Sequence, residues 1–561
     1  MTILTLNKKE FENSIGKIDN KLRNKIDMFG TPIDNETDDE ISIEVFPNRP
    51  DLLSMQGFVR AINNFLGKSK INEYKVEKSG EKLIIEKNIP KQWPYAFACI
   101  VKGLKFDDDK IKEVIDIQEK IGASYHRKRK KGGIGVYPLE KIKFPIRFKG
   151  LKPEDIKFRP LEFPRVINGR QILSQHPTGR EYGHLCEGWD VFPIFIDKDD
   201  VIMSMPPIIN SHEVGKIDTS TKNLFVEATG NDYNALRLGM NMIVTALADM
   251  GGKIYSIDCE YEGGKKEVVP DLEPEKMEFS VDKLNKTLGL ELSEKEIKDL
   301  LGKMGIGVEI ASLASKDAKG GNRCIALVPA YRTDILHEID LSEEVAIAYG
   351  YDNFKPEIPE ISTIGCEDDM SILKRRISEV LVGLSLLEVS SFHISTKEKQ
   401  FKNIGIKEFK DNMIEVEDSK TENNILRESL FANSINILSE NSDASYPQKI
   451  FELGKVFSDD RKYQDSETGI KEEERLCVSL CGEKSDFTEI KQALDYLMRM
   501  LDIKYKIEET EKPGFIDGRC GKIIVDSKEI GVLGEVSPFI LKNSKIKMPL
   551  ALLEISIEEF N

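Results

Sequence analysis

Four carboxylates stand close together in residues 323–353, RCIALVPAYRTDILHEIDLSEEVAIAYGYDN: Asp334, Asp340, Glu343 and Glu344. Carboxylates are hard oxygen donors, and a set of them with retained waters suits Mg²⁺ at about 2.0–2.1 Å. The spacing from Ile335 onward is helical, with Ile335, Ile339, Ala346 and Tyr349 on or near one face. Thr333 and Asp334 sit where an N-cap belongs, and Gly350 where the helix should stop. At about 100° per residue, Asp340, Glu343 and Glu344 share one helix face, and Asp334 reaches them only from the preceding turn. Two readings stay open: a cage for a hard cation, or a solvated face whose acids complement the helix dipole.

Other stretches carry less specific chemistry. HRKRKK at 126–131 is the strongest basic run of the chain, followed by Gly132 and Gly133. Such a run is a solvated hinge loop or a place where Arg and Lys touch the phosphates of an RNA 3′ end. GGIG at 132–135 is too short for a nucleotide-binding fingerprint. His212 beside Glu213 makes no HExxH, and no Ser-His-Asp or Cys-His arrangement stands near it. No enzyme nucleophile is therefore indicated in this part of the chain. Asn48, Arg49 and Asp51 in PNRPD read as a hydrogen-bonded turn capping a helix. Arg427 in LRES and Arg519 in GRCG are lone arginines of the kind found in surface ion pairs.

Stepping from these residues to what must hold them, 561 residues exceed a single core and suggest about four domains. A composition of 40% hydrophobic and 32% charged residues is that of a soluble globular chain. No run of 18 apolar residues occurs, so no membrane span is expected. The opening MTILTLNKKEFENSIG lacks the build of a signal peptide. Eight scattered cysteines form no CxxC pair, which suggests neither a disulfide framework nor a zinc site and makes the expected location cytoplasmic. A net charge of −16 argues against binding nucleic acid over the whole surface, but not against a local basic groove.

Hydropathy patterning separates four parts, and the expected fold class is α/β (α+β) multidomain. Residues 1–85 read as a small α/β domain, with Ile41, Ile43 and Val45 alternating and an amphipathic helix over 52–66. Residues 86–265 are mixed and turn-rich, with a strand broken at Gly230 and a long apolar helix over 233–250. Residues 266–355 read as helix, glycine stop, helix and strand, with a Ser293–Glu296 capping box. The mixed face of Glu294, Lys295, Glu296 and Lys298 favours packing over groove reading. Residues 362–561 read as a further α/β domain, with helices over 370–387 and 425–441 and a hairpin around Asp526 and Ser527.

The string VPAYRTDILHEIDLSEEVAIAYGYDN at 328–353 resembles the signature of the phenylalanine–tRNA ligase beta-subunit family in its archaeal and eukaryotic-cytosolic form. SIEVFPNRPDLLSMQGFVRAINNFLG at 42–67 is similar to that family's opening domain, and the likeness extends over nearly the whole chain. It implies that Asp334, Asp340, Glu343 and Glu344 hold a Mg²⁺ shared with an alpha subunit. It also implies that 86–265 is an editing domain hydrolysing tRNA wrongly charged with tyrosine. Carried over position by position, its pocket uses Gln118, Arg129, Asn210, Ser211 and Glu227, the last a departure because relatives carry aspartate there. Residues 266–355 would be winged-helix-like, and 362–561 would have the fold of a class II synthetase core. An FRxE-type arginine and a GxGxxxER element are both missing, so no synthetic catalytic residue is expected in this chain. ATP and phenylalanine would be handled by the alpha subunit of an (αβ)₂ heterotetramer that charges tRNA(Phe). The competing classes are a free-standing tRNA-editing hydrolase and a non-enzymatic RNA-binding scaffold.

Overall fold

The alternation of Ile41, Ile43 and Val45 becomes the central strand, Glu40–Val45, of a three-stranded antiparallel sheet flanked by Thr2–Asn7 and Ile33–Glu36. Its apolar face packs with Phe11, Phe58 and Ile62 from helices Lys8–Ile15 and Met55–Phe65. The second helix starts later than the periodicity suggests, because Pro50–Leu52 forms a 3₁₀ turn and Ser54 is the residue that accepts from Gly57 N. Arg49 and Asp51 are not its cap; they form a forked ion pair, 2.9 Å on both arms, with Asp51 buried. The computed structural model describes residues 2–310, 323–358, 360, 362–406, 413–417, 419–459 and 468–560. Its chain divides after Ile358 into two compact units.

The body of the first unit is a ten-stranded mixed sheet. It runs from Ile209–Asn210 at one edge through Ile202–Met205, Phe192–Ile196, Ile146–Leu151, Val76–Ile85, Lys253–Tyr261, Tyr95–Lys102 and Asn223–Gly230 to Gly132–Pro138 at the other. Lys266–Val269 branches from Lys253–Tyr261. The two edges do not stay apart. Tyr137 from one hydrogen-bonds Asn210 on the other at 3.1 Å, so the sheet curls until its edge strands meet. Helices Asp108–Ala123 and Tyr233–Asp249 support it; the second buries residues around most of its circumference, as its apolar sequence requires.

A smaller antiparallel sheet, Glu275–Ser280, Arg323–Val328 and Gly307–Ile310, carries three helices. Val281–Leu288 ends on Gly289 in the left-handed region at φ 66°, and Glu294–Lys303 opens with the expected capping box of Ser293 and Glu296. The connection between Gly307–Ile310 and Arg323–Val328 lies outside the described residues. Helix Glu338–Tyr349 follows.

The second unit is built on a seven-stranded sheet in the order Leu387–Glu388, Gln448–Asp459, Ile470–Cys481, Leu550–Ser556, Lys528–Val536, Phe515–Val525, Lys506–Glu509. The hairpin turns at Asp526 and Ser527, both at positive φ (46° and 69°), as a two-residue turn of the primed type demands. The expected helix over 425–441 is shorter, Phe431–Glu440, because Ile425–Leu426 pairs with Ile394–Ser395 instead. Arg427 corrects the surface-ion-pair reading. It is 1% exposed, and its guanidinium donates to Glu452 at 2.7 Å, Ser391 Oγ at 2.9 Å and the Lys455 carbonyl at 2.7 Å. Among the described residues no helix is long and apolar enough to cross a membrane, and no two cysteines are joined in a disulfide.

Candidate functional site

The carboxylate stretch is a junction before it is anything else. Tyr331 lies under the Arg60 guanidinium at 4.0 Å, Ala330 accepts from Asn241 Nδ2 at 2.9 Å, and Thr333 Oγ1 donates to the Asn48 carbonyl at 3.2 Å. Three layers of the first unit therefore meet on the string PAYRT. Arg332, 6% exposed, grips Asp334 with both arms at 2.8 and 2.7 Å, reaches Glu344 at 2.9 Å and donates to the Met304 carbonyl at 3.3 Å. Burial raises the pKa of the Asp334 carboxyl, but the hydrogen bonds and charge of Arg332 outweigh it and hold that acid below its usual range.

The expected geometry of the four acids needs correction. The helix starts at Glu338, not Ile335, with His337 as N-cap and Asp340 as the reciprocal member of a capping box. Asp340 Oδ2 accepts from the backbone N–H groups of Leu336 and His337 at 2.8 and 2.7 Å. Glu343 is exposed, whereas Glu344 is turned inward with Oε2 buried and unpartnered, so the two do not share a face. The donors are of the kind Mg²⁺ takes, and one oxygen is unsatisfied, but among the described residues no three acid, Cys or His side chains are gathered to hold an ion. The Arg332 guanidinium stands as the cation shared by Asp334 and Glu344. In this arrangement the four acids do not fit a common metal cage.

The seam of the curled sheet forms a cavity of about 600 Å³ whose lining includes Gln118, Arg129, Asn210 and Glu227. These four come from a helix, a turn and two strands at separate places in the sequence. Ser211 is not among the lining residues; buried at 1% exposure, it caps the short helix His212–Gly215, accepting from Glu213 N and donating to Glu213 Oε2 at 2.9 Å. Ile111, Ile115, Ile134, Val136 and Pro207 give the cavity an apolar wall.

Glu227 lies in strand Asn223–Gly230, directly across from Gly135. Glycine at 135 leaves room for this carboxyl: a Cβ there would lie 2.3 Å from Glu227 Oε1 and 2.8 Å from Tyr137 Oη and would push both groups aside. The Glu227 carboxyl is 3% exposed, receives or shares a hydrogen with Tyr137 at 3.2 Å, and keeps Oε2 buried without a partner. Burial drives its pKa up to about 8 against the weaker, opposite pull of Tyr137. At neutral pH Glu227 is a carboxylic acid, able both to donate and to accept.

The basic run is not a flexible hinge. Arg127, Lys128 and Arg129 all hold positive φ (51°, 54° and 61°) in an ordered turn. His126 is fully buried against the Ala235 carbonyl at 3.1 Å, and burial lowers its pKa to about 4, so it carries no charge at neutral pH. Arg129 points inward: Nη1 donates to the Pro207 and Ile208 carbonyls at 2.9 and 3.1 Å, Nη2 to Glu119 at 3.0 Å, and its plane covers Tyr182 at 4.3 Å. It ties the two edges of the sheet together and is not free for a phosphate. Arg127, Lys128 and Lys130 are the exposed cations of the turn.

Two cavity residues, Thr229 and His176, and Tyr137 behind them escaped the sequence. None carries a motif; the available signal was alternation, since Glu227 and Thr229, and Gly135 and Tyr137, are two apart on their strands and face one side. His176 is held by its Nε2 to the Leu161 carbonyl at 3.1 Å and accepts from Thr178 N at 3.2 Å.

Comparison with known proteins shows what the chain as a whole is similar to. Residues 355–557 match the family model for the phenylalanyl tRNA synthetase beta chain CLM domain, and 277–351 that for the tRNA synthetase B5 domain. The phenylalanine–tRNA ligase beta subunit of Pyrococcus furiosus is 39% identical over 513 residues, covering 91% of this chain and 90% of that one. The Archaeoglobus fulgidus beta subunit is 34% identical over 565 residues, covering 100% and 99%. A crystal structure of an N-terminal fragment of the Pyrococcus horikoshii phenylalanyl-tRNA synthetase beta subunit aligns with a TM-score of 0.58 at 35% identity, covering 62% of this chain and 99% of the fragment. The chain belongs to the phenylalanine–tRNA ligase beta-subunit family.

Proposed function

We propose that this chain works with an alpha subunit to attach phenylalanine to tRNA(Phe), and that the cavity at the sheet seam hydrolyses tyrosine wrongly esterified to that tRNA. The observation carrying the second part is the meeting of Gln118, Arg129, Asn210 and Glu227 around one cavity with an apolar wall. An apolar synthetic pocket rejects an added hydroxyl by only about 10²-fold, so a second pocket that selects for the hydroxyl is useful. The isoleucines and prolines suit the ring, and the neutral Glu227 suits its phenol. Asn210 orients the ester or the attacking water, Gln118 stands at the helix side, and Arg129 keeps the cavity's two walls at a fixed width. Ser211 acts only by capping the segment that carries Asn210. No side chain here is a nucleophile, so the water must be positioned by the substrate and the cavity.

The finer assignments rest on the family. Residues 1–85, 86–265, 266–355 and 362–561 are read as opening, editing, winged-helix-like and synthetase-core-like domains. ATP and phenylalanine belong to the alpha subunit, the assembly to (αβ)₂, and the location to the cytoplasm with the rest of translation. Mg²⁺ at Asp334, Asp340, Glu343 and Glu344 would require Arg332 and the helix cap to release three of them at the subunit contact.

The deciding experiment is deacylation of tyrosyl-tRNA(Phe) and phenylalanyl-tRNA(Phe) by the chain co-purified with its alpha subunit, against the chain alone. Preferential loss of the tyrosyl ester supports the reading. Failure to co-purify, or equal rates on both esters, would sink it in favour of a free-standing hydrolase or an RNA-binding scaffold. Glu227→Ala removes a neutral hydrogen bond of roughly 1 kcal/mol and should slow the tyrosyl reaction about fivefold.

A further inference from the structure

Tyr137 is fully buried, its ring packed on Phe225 with centroids 5.8 Å apart, and its hydroxyl stands 3.1 Å from Asn210 Oδ1 and 3.2 Å from Glu227 Oε1. A phenol has one hydrogen, and two acceptors compete for it, while the buried Ser204 hydroxyl, across the strand pair from Asn210, is a donor toward the phenol oxygen. We propose that Tyr137 is the positioning residue of this cavity, its single hydrogen coupling the proton state of Glu227 to the orientation of the Asn210 amide. The inference rests on the proofreading reading only for its functional meaning; the coupling is a property of the three side chains.

The two states follow from counting donors. With Glu227 protonated, its O–H donates to Tyr137 Oη, Tyr137 donates to Asn210 Oδ1, and Asn210 turns its N–H₂ outward as a donor. With Glu227 ionised, the phenolic hydrogen turns to the carboxylate. Tyr137 Oη then turns a lone pair toward Asn210 Oδ1 at 3.1 Å, which repels it; the amide rotates to donate through Nδ2 and turns Oδ1 outward, while Ser204 remains a donor toward the phenol oxygen. A group facing substrate thus changes from donor to acceptor. Which amide atom is oxygen is fixed by this network, not by its shape.

Nothing else competes for Glu227. Its neighbours across the two flanking strands are Gly135 and Ala98, neither with a polar side chain. The charged or titratable side chains of the cavity are Arg129, paired with Glu119, together with Glu162, Lys216 and His176, and none bonds Glu227. Tyr137 itself stays protonated, because burial and the charge of Glu227 push its phenol well above the ordinary range. The rise of the Glu227 pKa to about 8 puts the exchange within an accessible pH range.

The test is nuclear magnetic resonance of the full chain carrying ¹⁵N-asparagine and ¹³C-carboxyl glutamate, titrated through about pH 8. The Asn210 side-chain signal is identified by its loss in Asn210→Ser. Asn210 and Glu227 should shift together with one midpoint in the wild type. In Tyr137→Phe, which keeps the ring packing, Glu227 should still titrate while Asn210 no longer follows. An Asn210 signal that follows pH unchanged in Tyr137→Phe, or that never moves in the wild type, overturns the coupling. The pH profile of tyrosyl-tRNA deacylation by the assembled ligase adds a separate arm. An inflection near the Glu227 midpoint that Tyr137→Phe removes supports the coupling in function, whereas an inflection that survives the substitution counts against it. A ligase with no deacylation at all refutes proofreading and leaves the resonance measurement to decide the coupling.

Discussion

Two acids buried in the same unit have opposite fates. Asp334 meets the Arg332 fork at 2.8 and 2.7 Å and is held ionised. Glu227 meets only a phenol at 3.2 Å and an apolar wall, and is neutral until about pH 8. Both lose hydration; what separates them is whether a counter-charge is supplied within hydrogen-bond reach. The paired acid holds the Arg332 guanidinium in place against Glu344 and the Met304 carbonyl. The unpaired one keeps an unsatisfied oxygen and a mobile proton, which are properties of a site and a cost to stability.

Removing the arginine tests the first half most severely. Arg332→Met should destabilise the chain by about 3–5 kcal/mol, since it strands Asp334 and Glu344 without a partner. The sign of the pH response should also invert. In the wild type the contribution of Asp334 is fully present above the ordinary aspartate range and is lost as pH falls through the lowered folded value. In Arg332→Met burial alone acts on Asp334, which then gains from protonation, so its contribution to the urea midpoint should rise on acidification.

The converse test is Glu227→Gln, which makes neutrality permanent. A raised acid contributes fully below its unfolded value of 4.5, and the contribution drains away as pH rises to about 8. Stability of the wild type should therefore fall relative to Glu227→Gln by about 1.4 kcal/mol per pH unit over that window, measured by urea unfolding. Parallel curves would mean that Glu227 is already ionised or already satisfied.

Smaller effects refine the picture. Asp340→Ala removes the reciprocal cap and should cost about 1 kcal/mol, while Glu343→Ala, at an exposed position, should cost nothing measurable in the chain alone. If both substitutions also lower the Mg²⁺ content of the assembled ligase, measured by elemental analysis, the acids regroup around an ion on assembly. The finest distinction lies in the basic turn. Lys128→Ala or Lys130→Ala should lower the salt slope of tRNA binding by about 1 each, and Arg129→Ala, whose charge is spent on carbonyls, should leave that slope alone.

Periodicity and caps were legible from residues alone wherever the deciding partner is near in sequence. The Ser293–Glu296 box, the Gly289 stop, the hairpin at Asp526 and Ser527 and the strand through Ile41, Ile43 and Val45 all depend on neighbours within one turn or one pleat. The string at 328–353 also revealed the family. Partners far apart in the chain were not legible. Arg332 carried no sequence signal of its own, yet it takes two of the acids that spacing had offered to a metal. Arg129 looked like a phosphate ligand, yet it ties Pro207 and Ile208 to the opposite edge. Arg427 looked exposed and is buried on Glu452.

Sequence by itself determined which residues have a side chain able to carry charge, donate or accept, and which local element each enters, because helix and strand patterns are set by near neighbours. It could not determine whether Glu227 is an acid or a carboxylate. That depends on the curl of a ten-stranded sheet that brings Tyr137 to Asn210 and Glu227 and, among the described residues, pairs Glu227 with no cation. Proton affinity is a property of the surroundings a group is folded into, and only the tertiary structure supplies them.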